Sequence, residues 1–403
     1  MKAIISKSMM LTMAVIIVNF GFKIYLSYHI SKEDIGLFYT SIDIVSVASL
    51  FFTGYKDSMI KVFAEGNFFV VKNYIFRQYL IMVLIFLPIL YLIFKNYQDM
   101  NILYSVTLFL LFFVVSQISN YYSYLNVAHR NYNSMLYEKS IKAIGLILSF
   151  VVLMRFYSLT TALILAYIVQ LSMHIIYIKI TSPHIYFLKA KDSDIKIYKK
   201  FLKNFQISTI TSFFGSVSIY LSAIILFYLY ADSDTLAQYQ VVVKSIFFAL
   251  VSVFVHPITA YTFPELSKLI AQKNYSEVKI LDKNIHKYLG LFFILILFST
   301  LFTQYGVSLI FPSDYNQSYK MLNILLPILP FIAYTSFAIN IIKGFDHFEL
   351  ALMVRIGGSI VFFGSIYLLY LFGFDAKSIV YSLDLSFFAM FLHAYYYKQR
   401  LLK

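Results

Sequence analysis

Long apolar stretches recur along the chain, separated by short polar and charged segments. Each stretch is about 20 residues long, which is the length that a helix needs to cross the hydrocarbon core of a bilayer. The pattern predicts an all-α integral membrane protein with about twelve transmembrane helices, six in each half of the chain. The predicted spans cover residues 9–28, 35–55, 75–94, 102–125, 136–156, 160–180, 205–230, 237–263, 288–311, 321–342, 350–372 and 378–397. The fifth is the least distinct, because Glu138, Lys139 and Lys142 interrupt its apolar run.

The composition supports a membrane protein and leaves little sequence for anything else. Of the 403 residues, 60% are apolar and 13% are charged, whereas soluble domains carry roughly 25% charged residues. We therefore expect short loops and no soluble domain. The chain has no cysteine, which excludes disulfides and cysteine-ligated metals. The apolar run after Lys2 and Lys7 is longer than the core of a signal peptide, which predicts a retained first span.

The basic residues are distributed unevenly between the predicted loops. With the N-terminus inside, 26 of the 33 lysines and arginines fall on the cytoplasmic side and five on the outer side. Because cytoplasmic loops of membrane proteins carry an excess of positive charge, both termini are predicted to lie in the cytoplasm. The net charge of +14 is interpreted as topology and contact with anionic membrane lipids, and no nucleic-acid partner is predicted.

The two halves of the chain are weakly similar to each other. A shift of 201 residues aligns residues 35–38 with residues 236–239 and places Asp43 on Lys244. Two parallel repeats of six helices are typical of transporters. We therefore predict two pseudo-symmetric six-helix bundles joined by a basic cytoplasmic linker. The bundles cover residues 1–181 and 205–403, and the linker covers residues 182–204.

Ionisable residues at membrane depth are the first candidates for function. Burying one costs at least about 2.5 kcal/mol on insertion scales, so Asp43 in span two and Lys244 in span eight need a partner or a wet cavity. One interpretation is a structural ion pair that locks the two halves together. The other is a binding site in which Lys23 and Lys244 donate hydrogen bonds to a phosphate-bearing substrate, while Asp43 balances their charge or carries a proton. Lys23 lies nearer its helix end, so its side chain is also able to extend outward.

Small and hydroxylated residues form stripes on two predicted spans. On span seven the stripe comprises Ser208, Thr211, Gly215, Ser218 and Ser222, with Ser212 as a further candidate site residue, and on span four it comprises Ser116, Gln117, Asn120 and Ser123. Such stripes favour close helix packing and are equally suited to a wall that faces a sugar, and both interpretations stay open. Prolines in spans three, eight and ten predict kinks there. These prolines are Pro88, Pro257, Pro264, Pro327 and Pro330.

Sequence motifs for catalysis are missing. The chain has neither a phosphate-cradling G-x-x-x-x-G-K-[ST] loop nor an H-E-x-x-H metal site, so no ATP hydrolysis, metal site or cofactor is predicted. The Asp232-Ser233-Asp234 turn resembles a metal–sugar D-x-D motif, although helix capping is the favoured interpretation. The predicted spans carry His174, His256 and His393 singly, which favours interior polar groups over metal ligands.

Three motifs taken together resemble a known family. Ile35-Gly36-Leu37-Phe38-Tyr39 opens span two, Phe263-Pro264-Glu265-Leu266-Ser267-Lys268 follows span eight, and Phe311-Pro312-Ser313-Asp314-Tyr315 precedes span ten. In this order and spacing, the chain is similar to the Wzx-type O-antigen flippases of the multidrug/oligosaccharidyl-lipid/polysaccharide (MOP) exporter superfamily. The resemblance extends over nearly the whole chain.

The resemblance implies a MATE-like fold with two bundles of six helices around a central cavity. It implies alternating access and the movement of undecaprenyl-pyrophosphate-linked oligosaccharide across a bacterial cytoplasmic (inner) membrane, for O-antigen or capsule synthesis. H+ or Na+ are candidate coupling ions, and a polysaccharide polymerase is a candidate protein partner. Arg355 and Lys139, close to the predicted cytoplasmic helix ends, are candidates to receive the pyrophosphate or to anchor to lipid headgroups.

Two other function classes remain open at this point. A MATE-like antiporter would exchange protons or Na+ at Asp43 for a cationic drug, but Lys23 and Lys244 would repel such a cation if both faced the cavity. A membrane enzyme such as an O-antigen polymerase, ligase or glycosyltransferase would need a sizeable outer loop, and the predicted outer loops are only a few residues long.

Overall fold

The computed structural model is helical throughout the part of the chain that it describes. That part comprises residues 2–64, 68–95, 102–128, 132–182, 195–230, 232–255, 266, 269–270, 272–345 and 347–402. The helices of its first half are α1 (Lys2–His29), α2 (Lys32–Leu50), α3 (Thr53–Ala64), α4 (Phe68–Lys95), α5 (Ile102–Ala128), α6 (Tyr132–Leu153) and α7 (Leu159–Thr181). Those of its second half are α8 (Ile195–Ile225), α9 (Ser233–Gln238), α10 (Lys244–Leu250), α11 (Tyr275–Thr300), α12 (Thr303–Ile310), α13 (Ser318–Leu325), α14 (Leu329–Gly344), α15 (Phe348–Leu371) and α16 (Ser378–Leu402).

The fold class predicted from the apolar pattern is confirmed. Among the described residues, eight helical segments are long and apolar enough to cross a membrane, or nine if the bent pair α11 and α12 counts as one span. The protein is therefore a multi-pass membrane protein. The full number of twelve spans stays a prediction, and so does the location of the termini.

Two predicted spans are shorter or more broken than the apolar pattern suggested. The second helix ends at Leu50, the chain turns at Phe51 and Phe52, and α3 starts a new helix. The predicted extension of span two to residue 55 is therefore wrong. The predicted ninth span begins earlier than expected, at Tyr275, where the Asn274 side chain caps the helix, and it bends by 61° at the break between α11 and α12.

The prolines have different local effects. Pro88 lies inside α4 without ending the helix. In contrast, Pro327 lies within a short 3-10 turn, Leu326–Ile328, between α13 and α14, and Pro330 lies in the first turn of α14. The predicted interruption of span ten is thus confirmed.

Several predicted features lie outside the described residues. These are Pro257, Pro264, His256, most of the motif from Phe263 to Lys268, and residues 183–194 of the predicted linker.

The packing divides the chain into two compact units. The first comprises Met1–Phe22 and Ile44–Ser212, and the second comprises Lys23–Asp43 and Phe213–Lys403. The division runs through helices α1, α2 and α8. The predicted bundle boundaries at residues 181 and 205 stay a prediction.

Aromatic packing and side-chain hydrogen bonds build the interior of the first unit. The ring of Tyr55, which is fully buried, lies 4.3 Å from that of Phe205 and 4.9 Å from that of Tyr79. Tyr79 donates a hydrogen bond of 2.8 Å to the carbonyl of Gln117, whose side chain in turn donates to Ser49. In this way α2, α3, α4, α5 and α8 share one interior.

A close glycine–methionine contact and an ion pair join helices in the interior of the second unit. The backbone of Gly358 on α15 lies so close to Met390 on α16 that a larger side chain would have to displace the methionine. Near the C-terminal end of α16, the buried Lys398 forms two hydrogen bonds of 2.8 and 2.7 Å with the carboxylate of Asp282 on α11. Close packing of α15 on α16 thus combines with an electrostatic link to α11.

Candidate functional site

Asp43 and Lys244 form a buried ion pair in the second unit. The Nζ atom of Lys244 lies 2.5 Å from both carboxylate oxygens of Asp43. Asp43 is 4% exposed and Lys244 is 6% exposed. Each charge at membrane depth was predicted to need a partner or a wet cavity, and in the structure each residue is the partner of the other.

The pair lies where two repeat-related segments run side by side. Gly36 on α2 packs against Leu236 and Ala237 on α9, where an added Cβ atom would meet the backbone of Ala237 at 3.5 Å. The same 201-residue shift relates Gly36 to Ala237 and Asp43 to Lys244. Residues that the internal repeat aligns are therefore in contact with each other, and the two segments are parallel and in register.

Neighbouring polar groups hold the carboxylate of Asp43. The side-chain amide of Gln240 donates a hydrogen bond of 2.6 Å to Oδ2 of Asp43 and a longer one, 3.4 Å, to Thr40. Gln240 belongs to a π-helical segment, Tyr239–Val243, that leads directly into α10. Such π-helical insertions occur frequently at functional sites, and this one precedes Lys244.

Lys23 adds a second cation beside the pair. Its Nζ atom donates a hydrogen bond of 2.7 Å to Ser245 and lies 4.2 Å from the centre of the Tyr39 ring. In the described part of the chain, no carboxylate lies within ion-pair distance of Lys23, although its charge interacts at longer range with those of Asp43 and Lys244. The cluster of these three residues therefore has a net charge of +1 when all three are ionised.

Arg355 is also in the second unit and has different neighbours. Its guanidinium packs against Gly215, and a Cβ atom at that position would lie only 3.2 Å from Nε. Its Nη1 atom lies 3.6 Å from the sulfur of Met390. The ion pairs among the described residues include none to Arg355. This cation is half-buried and has no acidic partner in that part of the chain.

The remaining four predicted site residues lie in the first unit. Lys139 is exposed, and Asn120, Ser208 and Ser212 are partly buried. The structure therefore brings Lys23, Asp43 and Lys244 together within the second unit. Their assignment to a substrate site stays a prediction.

The C-terminal part of the stripe on span seven packs inside the protein. Ser218 and Ser222 are fully buried, and Ser222 forms a hydrogen bond of 2.6 Å with the hydroxyl of Tyr239. The capping interpretation of Asp232 is confirmed, since its carboxylate accepts a hydrogen bond from the backbone N–H of Thr235. No cluster of metal-ligating side chains occurs within the described ranges.

Asp384 was not singled out from the sequence, and the contact between Glu138 and His174 was not predicted. Asp384 lies inside the twelfth apolar stretch, and its Oδ1 atom is buried without a hydrogen-bond partner. A single carboxylate inside an apolar stretch could have been identified from the sequence as a candidate functional residue. Glu138 and His174 meet in the first unit, but they are 36 positions apart on different helices, and neither the repeat nor the local pattern links them.

Comparison with known proteins identifies the fold. No protein-family model and no curated protein matches the chain. Among solved structures, an inward-facing multidrug resistance MATE family transporter of the MOP superfamily matches with a TM-score of 0.74 at 11% identity, covering 98% of both chains. The chain has the fold of the MATE transporters. The predicted MATE-like fold is thus confirmed.

Two further structures show the same fold. The lipid II flippase MurJ, in an inward closed conformation, matches with a TM-score of 0.72 at 13% identity, over 97% of this chain and 87% of its own. A MOP superfamily transporter from Pyrococcus furiosus, described as having a binding pocket of reverse polarity, matches with a TM-score of 0.69 at 13% identity, over 99% of this chain and 95% of its own. The fold is therefore shared by drug transporters and by a lipid flippase.

Proposed function

We propose that this protein is a flippase that moves an anionic, lipid-linked oligosaccharide across the bacterial inner membrane by alternating access. The substrate class is undecaprenyl-pyrophosphate-linked glycan, such as the repeat units of O-antigen or capsule. A Wzx-type role would also make a polysaccharide polymerase a downstream partner. The observation that carries the proposal is the excess of positive charge at membrane depth in the second unit.

The charges of the second unit favour an anionic substrate. Lys23 is not neutralised by an adjacent carboxylate, and Arg355 has no acidic partner among the described residues. A cation at membrane depth is costly unless something compensates it, and a pyrophosphate supplies compensation through charge-assisted hydrogen bonds. Lysine and arginine both bind phosphate well, arginine with bidentate geometry.

The same charges disfavour the MATE-like antiporter. The one carboxylate of the cluster, Asp43, already accepts hydrogen bonds from Lys244 and Gln240. A cationic drug would have to displace Lys244 and then approach Lys23. The structural similarity to the lipid II flippase supports the flippase, and the neighbour described as having a pocket of reverse polarity shows that this fold accommodates different site charges.

Deletion of the gene in its host tests the function. We expect loss of surface polysaccharide and accumulation of lipid-linked repeat units on the inner leaflet, both measured by carbohydrate analysis of fractionated membranes. Complementation with the Lys23→Ala or Arg355→Ala variant should restore less than a tenth of the surface glycan at unchanged protein levels. Unchanged polysaccharide together with altered drug sensitivity would contradict the proposal and favour the antiporter.

Neutralising the ion pair provides a second, sharper test of the site. The Asp43→Ala/Lys244→Ala double variant should insert at normal levels and fail to export glycan. A matched control is Lys377→Ala, which removes a partly exposed cation whose ion pair among the described residues is with the nearby Asp375. Normal export by the double variant would refute the assignment of the site to this cluster.

A further inference from the structure

A buried histidine and a buried carboxylate meet in the first unit. The Nε2 atom of His174 on α7 lies 3.3 Å from Oε2 of Glu138 on α6. On the other side of the ring, Nδ1 lies 2.7 Å from the hydroxyl oxygen of Ser119 on α5. His174 is fully buried and Glu138 is 7% exposed. The three side chains form a continuous line across helices α5, α6 and α7.

Two other donors fix the orientation of the carboxylate. Asn126 donates a hydrogen bond of 2.6 Å to Oε1 of Glu138, and Ser123 donates one of 2.8 Å to Oε2. Oε2 is thereby held towards the imidazole of His174. The contact between Oε2 and Nε2 is within ion-pair distance but is not aligned as a hydrogen bond. A positive charge on the imidazole would therefore strengthen this contact, because it would become an ion pair with the carboxylate.

The geometry accommodates both protonation states of the ring. In the neutral state, the Ser119 hydroxyl donates to Nδ1 and the hydrogen on Nε2 faces Glu138. In the charged state, both ring nitrogens carry hydrogen, so Nδ1 donates to the Ser119 oxygen while Nε2 still faces Glu138. Only the hydroxyl hydrogen rotates between the two states. Since histidine changes charge near physiological pH, His174 is suited to bind and release a proton.

The other titratable groups around the pair come from the same helices. Lys142 on α6 interacts electrostatically with both Glu138 and His174, and Tyr177 on α7 interacts with Glu138. Helix α5 contributes the neutral side chains of Ser119, Ser123 and Asn126. Lys142 balances Glu138 when His174 is neutral, and a bound proton therefore changes the net charge of the cluster from 0 to +1.

A line of polar side chains connects this buried pair to the ends of the helices. Asn126 also donates a hydrogen bond of 2.8 Å to Ser134, whose hydroxyl lies 2.9 Å from that of Thr181. Thr181 is exposed. Ser134 and Thr181 lie at the ends of α6 and α7 that the distribution of basic residues predicts to be cytoplasmic.

We propose that His174, paired with Glu138, is a proton-binding site and that the proton bound there is coupled to transport. The proton comes from a hydronium ion in the water at the helix ends near Thr181: one O–H bond breaks, an N–H bond forms at Nδ1 of the imidazole, and a neutral water molecule remains. The coupling rests on the proposed function, whereas proton binding at this pair is independent of it. H+, not Na+, is then the coupling ion.

Proton binding is tested by NMR on the purified full-length protein labelled with 15N-histidine. One imidazole signal should titrate between about pH 5 and pH 8 and be missing in the His174→Gln variant. In Glu138→Gln, which keeps the shape of the side chain but removes its charge, proton affinity at this signal should fall about tenfold or more. His29→Gln, at the exposed end of α1, is the matched control. A His174 signal that does not titrate in the wild type would overturn the proposal.

Coupling is tested in proteoliposomes with a fluorescently labelled undecaprenyl-pyrophosphate oligosaccharide as the probe. A pH gradient of one unit should change the flipping rate several-fold in the wild type and in His29→Gln, but not in His174→Gln. Probe movement that responds to a Na+ gradient and not to pH would overturn the coupling. No probe movement under any gradient would contradict the proposed function, and the NMR titration would still decide proton binding at His174.

Discussion

Breaking the ion pair at one side should cost far more stability than replacing both charges. The charge centres of Asp43 and Lys244 are about 3 Å apart, so at an effective dielectric constant of about 20 their attraction is about 5 kcal/mol. Removing one partner leaves the other charge buried and unpaired, which typically costs about 3–5 kcal/mol. Replacing both with neutral polar residues removes the attraction and the desolvation cost together, so a loss of about 1 kcal/mol or less is expected.

A double-mutant cycle measures this coupling. Asp43→Asn and Lys244→Gln each should lower the thermal unfolding midpoint of the detergent-purified protein by about 4–6 °C, since an unfolding entropy of about 2.1 cal/mol/K per residue makes each kcal/mol worth about 1.2 °C in a chain of 403 residues. The double variant should recover to within roughly 3 °C of the wild type. The cycle isolates the pair because both substitutions keep hydrogen-bonding groups of similar size.

A transport assay on the same variants distinguishes an effect on stability from an effect on function. We expect the stable double variant to be inactive in the flipping assay, because the cationic donor at residue 244 is lost while the fold is retained. Losses in the two single variants that simply add in the double variant would refute the electrostatic reasoning. A double variant that is both stable and fully active would show that the pair has only a structural role.

Three further outcomes are expected. Gly215→Leu should displace the Arg355 guanidinium that packs on it and reduce glycan export at least tenfold, whereas Gly364→Leu, which faces open space, should not change export in the same assay. Asp232→Ala should lower the free energy of unfolding by about 1 kcal/mol through loss of the helix cap, measured by chemical denaturation in detergent. Asp282→Asn should leave Lys398 buried without its counter-charge and destabilise the protein by about 3 kcal/mol or more, visible as faster proteolysis of the membrane-embedded chain.

The sequence predicted the parts of the site that follow from hydropathy, from the internal repeat and from the free-energy cost of burying a charge in the bilayer. Hydropathy predicts the helices because, within the bilayer, backbone N–H and C=O groups must form their hydrogen bonds inside a helix. The internal repeat placed Asp43 and Lys244 at matching positions of the two halves. The role of Gln240 could not be predicted, since it depends on the π-helical segment that shifts the register just before Lys244.

Other features depended on contacts between distant segments. The early end of span two at Leu50 could not be predicted from hydropathy, because Phe51, Phe52 and Tyr55 continue the apolar run through the turn. The Glu138–His174 contact is set by how α6 packs on α7, and no local pattern encodes that packing. Glu138 instead made the fifth span look weak, although the structure satisfies its charge with Asn126, Ser123 and His174.

The in-register contact between the repeats constrains how such a chain arose. Two identical half-length chains related by a two-fold axis would present the same residue twice at this point, either two aspartates or two lysines facing each other. Like charges at about 3 Å in a bilayer would oppose association. An attractive pair at this position requires the two copies to differ in sequence, as the two halves of this chain do. The salt bridge between Asp43 and Lys244 is therefore a charge complementarity that a homodimer of identical halves could not have formed.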